Sequence, residues 1–112
     1  EGGYNQTKPM TLLSDTLLAV KDEHLSLEQC EKYRDTLIHL KTALHNEVAE
    51  YKKKRAIWLT TSDIKGVEAS KLAYDATKDG QRLITLKGMI SGLQGEIDAL
   101  QSRVYGHLRS NG

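Results

Sequence analysis

Apolar residues recur with a seven-residue period through the second half of the chain. One set of positions reads Ala69, Ala76, Leu83, Ile90, Ile97 and Val104. A second set reads Leu72, Asp79, Leu86, Leu93, Leu100 and His107, so all but Asp79 and His107 are apolar. A register held this long marks a helix whose narrow apolar seam packs along another helix. The pattern predicts a start near Ser62 or Asp63, whose short oxygen-bearing side chains can cap free backbone N–H groups. It predicts an end near Ser110, Asn111 and Gly112, which are poor helix formers.

The first half is helical with a less regular stripe. Cys30, Tyr33, Leu37, Leu40 and Leu44 follow alternating steps of three and four, and the stripe then steps by four to Val48 and continues through Tyr51, Arg55 and Trp58. An extra four-residue step is a stutter, which locally unwinds a supercoil. Upstream, Leu13, Leu17, Val20, His24 and Leu27 form a stripe that does not join the later one in phase. Ser26 with Gln29 matches a capping box, in which each residue's side chain satisfies the other's amide. Residues 11–59 therefore read either as one bent helix or as two helices with a break near Leu25.

Leu59 to Asp63 lies between the halves as a short polar linker, and so short a link joins only antiparallel neighbours. The expected fold is all-α: a long antiparallel helical hairpin of coiled-coil type, with or without a short separate N-terminal helix. With the turn centred near Thr61, residue i should face about residue 122 − i. That register sets Leu37 and Leu40 against Leu83 and Leu86, Tyr51 and Trp58 near Ala69 and Ala73, and Leu13 and Leu18 against Val104 and Leu108. The hairpin occupies residues 10–112 as one domain. Glu1 to Pro9 reads as a disordered tail or an expression remnant ahead of Met10.

A two-helix rod buries a single seam, and Leu12, Leu17, Leu25, Ile38, Ile57, Ile84 and Met89 do not all fit on it. A second copy, closing a four-helix bundle as a homodimer, or a different protein partner is expected to cover them.

Composition narrows the reading. Five Tyr, one Trp and no Phe suit a thin aliphatic seam rather than a thick core, which normally draws on large aromatic side chains. Sixteen basic residues against fifteen acidic ones give a net charge of +1, against a strongly electrostatic nucleic-acid binder. Cys30 is the only cysteine, so an intrachain disulfide and a cysteine-rich zinc site are excluded. A reducing cytoplasm, or a host-cell cytoplasm for a viral chain, is the expected location. No apolar run approaches the ~18 residues of a membrane span.

Candidate chemistry is sparse. Lys52, Lys53, Lys54 and Arg55 form the densest charge run, able to neutralise phosphate or to sit as solvated cations near the carbonyl end of a helix, with Glu50 expected to pair with Lys54. Ile57, Trp58 and Leu59 fall at the expected hairpin tip, either as a docking point, since Trp is enriched at binding hot spots, or with Trp58 folded over the turn. Gly88, Gly92 and Gly95 lie on the side of the second helix away from the seam, where another helix can approach closely; Gly80 belongs to the same glycine-rich helix. Asp79 and His107 are polar seam positions read as register or solvent contacts, Asp79 within reach of Lys41 or His45. His24, His39, His45 and His107 show no metal-ligand spacing, and no nucleophile elbow or phosphate-binding loop occurs. The expectation is a non-enzymatic protein–protein interaction or assembly module, without cofactor, metal or small-molecule substrate. The rival is a viral, phage or bacterial nucleic-acid-binding accessory protein working through Lys52 to Arg55.

Overall fold

A computed structural model of the chain describes the backbone of residues 2–111 and the side chains of residues 11–110. Among the described residues the protein is all-α: α1 (Gly2–Ala19), α2 (Leu27–Thr61), α3 (Val67–Asp75) and α4 (Lys78–Asn111), with no strand. The long helices α2 and α4 pack together as a helical hairpin. Of the segment read as a tail, Glu1 and the side chains of the remainder lie outside the described residues, and the backbone is helical from Gly2. The chain divides into two compact units, residues 1–42 with 92–112, and residues 43–91.

In the first unit the alternative with two helices holds. α1 ends at Ala19 and α2 begins at Leu27. The capping box forms as the sequence indicates: the Ser26 amide donates to Gln29 Oε1 at 2.9 Å, and the Gln29 amide donates to Ser26 Oγ at 3.1 Å. Asp22 Oδ1 accepts the His24 amide at 2.8 Å inside the connection. α4 holds this connection by its carbonyls. Arg103 donates to the Val20 and Asp22 carbonyl oxygens at 3.0 and 2.6 Å, and His107 Nε2 lies 2.9 Å from the Leu25 carbonyl oxygen. A carbonyl can only accept, so that ring nitrogen carries the proton. His107, expected as a polar interruption of the seam, is thus a bond to the α1–α2 turn.

The core of this unit joins Leu13, Val20, Leu25, Cys30, Leu37 and Leu40 to Leu93, Ile97, Leu100 and Val104. Leu25 was expected to need an outside partner; the break between helices turns it inward. Leu18 and Leu108, expected to face Val104 and Leu13 in the core, are exposed, and so is His24. Thr16 is buried instead, its Oγ1 donating to the Leu12 carbonyl at 2.7 Å. Two hydrogen bonds cross from α2 to α4, Arg34 to Gln101 at 3.0 Å and Lys41 to Gln94, and the paired numbers total 135 in both. The register is therefore about 135 − i, not 122 − i.

The second unit departs further from the periodic reading. Its buried apolar residues are Leu44, Val48, Tyr74, Leu83 and Leu86. Neither Ser62 nor Asp63 caps the returning helix, which begins at Val67 behind Gly66. Ser62 Oγ instead accepts the Ile64 amide at 3.1 Å, folding a turn before the helix can start. Gly66 has φ +93°, a conformation that a side chain would strain. The buried Ser70 hydroxyl ties the turn down by donating to the Ile64 carbonyl at 3.0 Å.

The returning helix is also not continuous. Thr77 donates its amide and its hydroxyl to the Tyr74 carbonyl at 2.9 and 2.6 Å, while its Oγ1 accepts the Gly80 amide at 3.0 Å. One threonine thereby closes α3 and caps α4. Gln81 Nε2 reinforces the joint by donating to the Asp75 carbonyl at 2.6 Å. Gly80 is required there: a Cβ would lie 2.1 Å from the Tyr74 carbonyl oxygen and 2.7 Å from Asp75 Cα.

This joint resets the helical phase, and the heptad seam survives only from Leu83 to His107. Ala69, Leu72, Ala76 and Asp79 face solvent, Leu72 with 71% of its surface exposed. Tyr74, outside the expected seam, takes the core position at 2% exposure. Asp79 does not hold an interior register with Lys41 or His45; it lies exposed in the first turn of α4, where a carboxylate suits the helix dipole. Arg82 donates to Glu47 Oε1 at 2.9 Å. Arg55 stacks over Tyr74, and both pairs of numbers total 129.

Candidate functional site

The stripe that begins at Cys30 brings Tyr51, Arg55 and Trp58 to the inward side of α2 in the second unit. Trp58 meets Tyr74 edge to face, ring centroids 5.5 Å apart at 62°, the arrangement favoured by aromatic quadrupoles. The Arg55 guanidinium lies 5.8 Å above the Tyr74 ring, and the Lys54 ammonium 4.8 Å above Tyr51. The Tyr74 hydroxyl is buried without a hydrogen-bond partner. Burial pushes its pKa above the ordinary phenol value; the Asp79 charge adds to the rise and Arg55 opposes it.

This geometry divides the expected tip. Trp58 folds onto Tyr74 and is half-buried, as is Leu59, whereas Ile57 stands 64% exposed. Two exposed residues were not singled out by the sequence, Ile64 in the turn and Val67 at the first position of α3, and Leu72, read as a seam position, is exposed as well. Leu72 is exposed because α3 is not continuous with α4, whereas a continuous helix would have placed it on the seam. A cue was present in Asp75, Thr77, Asp79 and Gly80, a cluster of weak helix formers in an otherwise favourable stretch.

The basic run is divided too. Lys52, Lys53 and Lys54 are exposed and Arg55 is half-buried against Tyr74. The pair expected between Glu50 and Lys54 forms instead between Glu50 and Lys53, 3.6 Å apart. Successive residues turn about 100° round a helix, so the run cannot keep to one face and presents three cations to solvent and one to the core.

Gly88, Gly92 and Gly95 lie on the exposed side of α4, and a Cβ placed on any of them meets no atom within 4 Å. A partner backbone could approach closely at each of them, and Gly106 farther along α4 is equally open.

A groove in the first unit is lined by Glu23, His24, Leu25, Arg103, Gly106, His107 and Ser110. Its strongest donors, Arg103 and His107, already bond the carbonyls of the α1–α2 connection, so the groove belongs to the fold. Cys30 is buried as a free thiol. Among the described residues no group of three or more His, Cys, Asp or Glu side chains could hold a metal ion, and no helix is long and apolar enough to cross a membrane.

Comparison of the chain with protein-family models, with curated proteins and with solved structures finds no match.

Proposed function

We propose that this chain is a non-enzymatic helical interaction module whose first partner is a second copy of itself, in a reducing cytoplasmic setting. The observation that carries the reading is the outward turn of α3. Ala69, Leu72 and Ala76 keep heptad spacing but face solvent, and Leu72 is 71% exposed. Exposed apolar surface at coiled-coil spacing is half of a helix–helix contact, because its burial is favourable and its spacing fits the ridges of another helix. The Gly88, Gly92 and Gly95 face of α4 offers a partner helix a second approach, and a four-helix bundle is the simplest closed homodimer of two helical hairpins. Recognition of this kind requires shape and apolar burial but no reaction chemistry.

The second reading, nucleic-acid binding, draws on the exposed Lys52, Lys53 and Lys54. It is weakened by Arg55, which stacks on Tyr74 rather than facing outward with the lysines. A light-scattering mass measured across a salt series separates the two. The interaction module predicts a two-chain mass that persists at high salt, since apolar packing is little screened. A one-chain mass, together with oligonucleotide binding that collapses as salt rises, would favour the nucleic-acid reading instead.

A further inference from the structure

The turn between α2 and α3 combines two features that the seam reading leaves unused. Ile57, Ile64 and Val67 are exposed there by 64%, 41% and 69%. Cations surround them. Lys53 and Lys54 precede Ile57 by four and three residues and so share its helix face. Lys65 follows Ile64, and Lys71 lies four residues beyond Val67. Between residues 50 and 72, Lys52, Lys53, Lys54, Arg55, Lys65 and Lys71 stand against Glu50, Asp63 and Glu68, while the whole chain is close to neutral at +1. Glu50 pairs with Lys53, Glu68 pairs with Lys71 and Arg55 lies over Tyr74. Among the described residues this leaves Lys52, Lys54 and Lys65 without an acidic partner within 4 Å. Positive charge is therefore concentrated at the end of the second unit where branched aliphatic side chains meet water.

We propose that the α2–α3 turn docks on an anionic phospholipid surface, with Ile57, Ile64 and Val67 entering the headgroup region and the lysines beside them meeting lipid phosphates and carboxylates. Charge complementarity selects an anionic partner. The aliphatic residues select lipid over nucleic acid, because a phosphate backbone offers them nowhere to leave water whereas a bilayer interface does. Interfacial docking needs no spanning helix, in keeping with the absence of one among the described residues. The surface is separate from the outward face of Leu72, so the proposal does not depend on self-association.

The chain carries its own reporter, since Trp58 is the only tryptophan and sits half-buried at this end. Full-length protein is titrated with vesicles of phosphatidylcholine alone and with vesicles containing phosphatidylserine, reading Trp58 emission and co-sedimentation. The expected result is a blue shift and co-sedimentation with the phosphatidylserine vesicles only, weakened by salt. Lys53→Gln with Lys54→Gln should lower partitioning by about tenfold or more. Val67→Asp should abolish it; an acidic residue in the first turn of α3 favours the helix, and circular dichroism checks that the fold is kept. Failure of the folded wild-type chain to bind phosphatidylserine vesicles at low salt would overturn the proposal. So would binding unchanged in Val67→Asp, or binding to an oligonucleotide in place of vesicles. None of these outcomes alters the solution mass, which tests the interaction reading by itself.

Discussion

The two units divide the chain's apolar residues unequally. Among the described residues, the unit of residues 1–42 and 92–112 buries ten apolar side chains and the unit of residues 43–91 buries five, yet each leaves five large hydrophobic residues exposed. The first unit is closed by aliphatic packing and by side chains that hold backbone carbonyls: Arg103, His107 and the Ser26–Gln29 box. The second is organised around one aromatic contact, Trp58 on Tyr74, and two backbone devices, Gly66 and the Thr77–Gly80 joint. A heptad pattern therefore does not guarantee an internal partner. Where the helix is continuous the seam is spent on the chain's own core; where it is broken, the same pattern is turned outward.

The largest effect should come from the dense side of this comparison. Leu100 is 1% exposed, and Leu100→Ala should destabilise the protein by about 3 kcal/mol, the usual result of opening a cavity in a packed core. Urea titration followed by circular dichroism gives the value; a loss well under 1 kcal/mol would mean that the first unit is not closely packed. On the sparse side, Gly80→Ala should cost about 2 kcal/mol by overpacking against backbone that cannot move aside. Because Trp58 lies in the second unit, its emission should report that loss. A neutral or stabilising outcome would show that α3 and α4 form one straight helix, and the outward seam would disappear with the joint.

Tyr74→Phe sharpens the contrast through its pH dependence. The hydroxyl is buried and unpartnered, so deleting it should leave stability unchanged or raise it by up to about 1 kcal/mol. The folded-state pKa of Tyr74 is raised, so its contribution is fully present below the ordinary phenol value of about 10. As pH climbs past that value the unfolded chain releases the proton first, and stability falls until the folded pKa is passed. Tyr74→Phe should remove that alkaline loss, which denaturant titrations at neutral and alkaline pH would measure. The smallest effect should come from Gly92→Ala. The added methyl meets nothing within the chain, so the helix itself should gain up to about 1 kcal/mol, while association through the glycine face should weaken. Unchanged association would remove that face from the contact.

Much of this fold was legible in the sequence. The α2 stripe from Cys30 to Trp58, including the step from Leu44 to Val48, is the buried or half-buried side of that helix. The α4 seam holds from Leu83 onward, and Ser26 with Gln29 marks the start of α2. These features are local or strictly periodic, which is why they can be read along one dimension. The joint at Thr77 could not be read in this way. Heptad counting carries Ala69, Leu72 and Ala76 through it in phase, whereas a threonine cap of three local hydrogen bonds rotates one segment relative to the next. The register of the hairpin shifted for a second local reason, since its turn includes Ser62 to Gly66 rather than centring on Thr61. Of the surface candidates, the exposed glycines and lysines follow from helix periodicity, but the exposure of Ile64, Val67 and Leu72 depends on the joint and the turn.

Whether the outward face of α3 joins two chains is read from the light-scattering mass of the wild-type protein beside Leu72→Glu. Leu72 is 71% exposed within the chain, so the substitution should leave each chain folded. The wild type should show twice the chain mass of 12.5 kDa and the variant a single-chain mass. A wild-type mass of one chain, or a dimer that Leu72→Glu leaves intact, would contradict it.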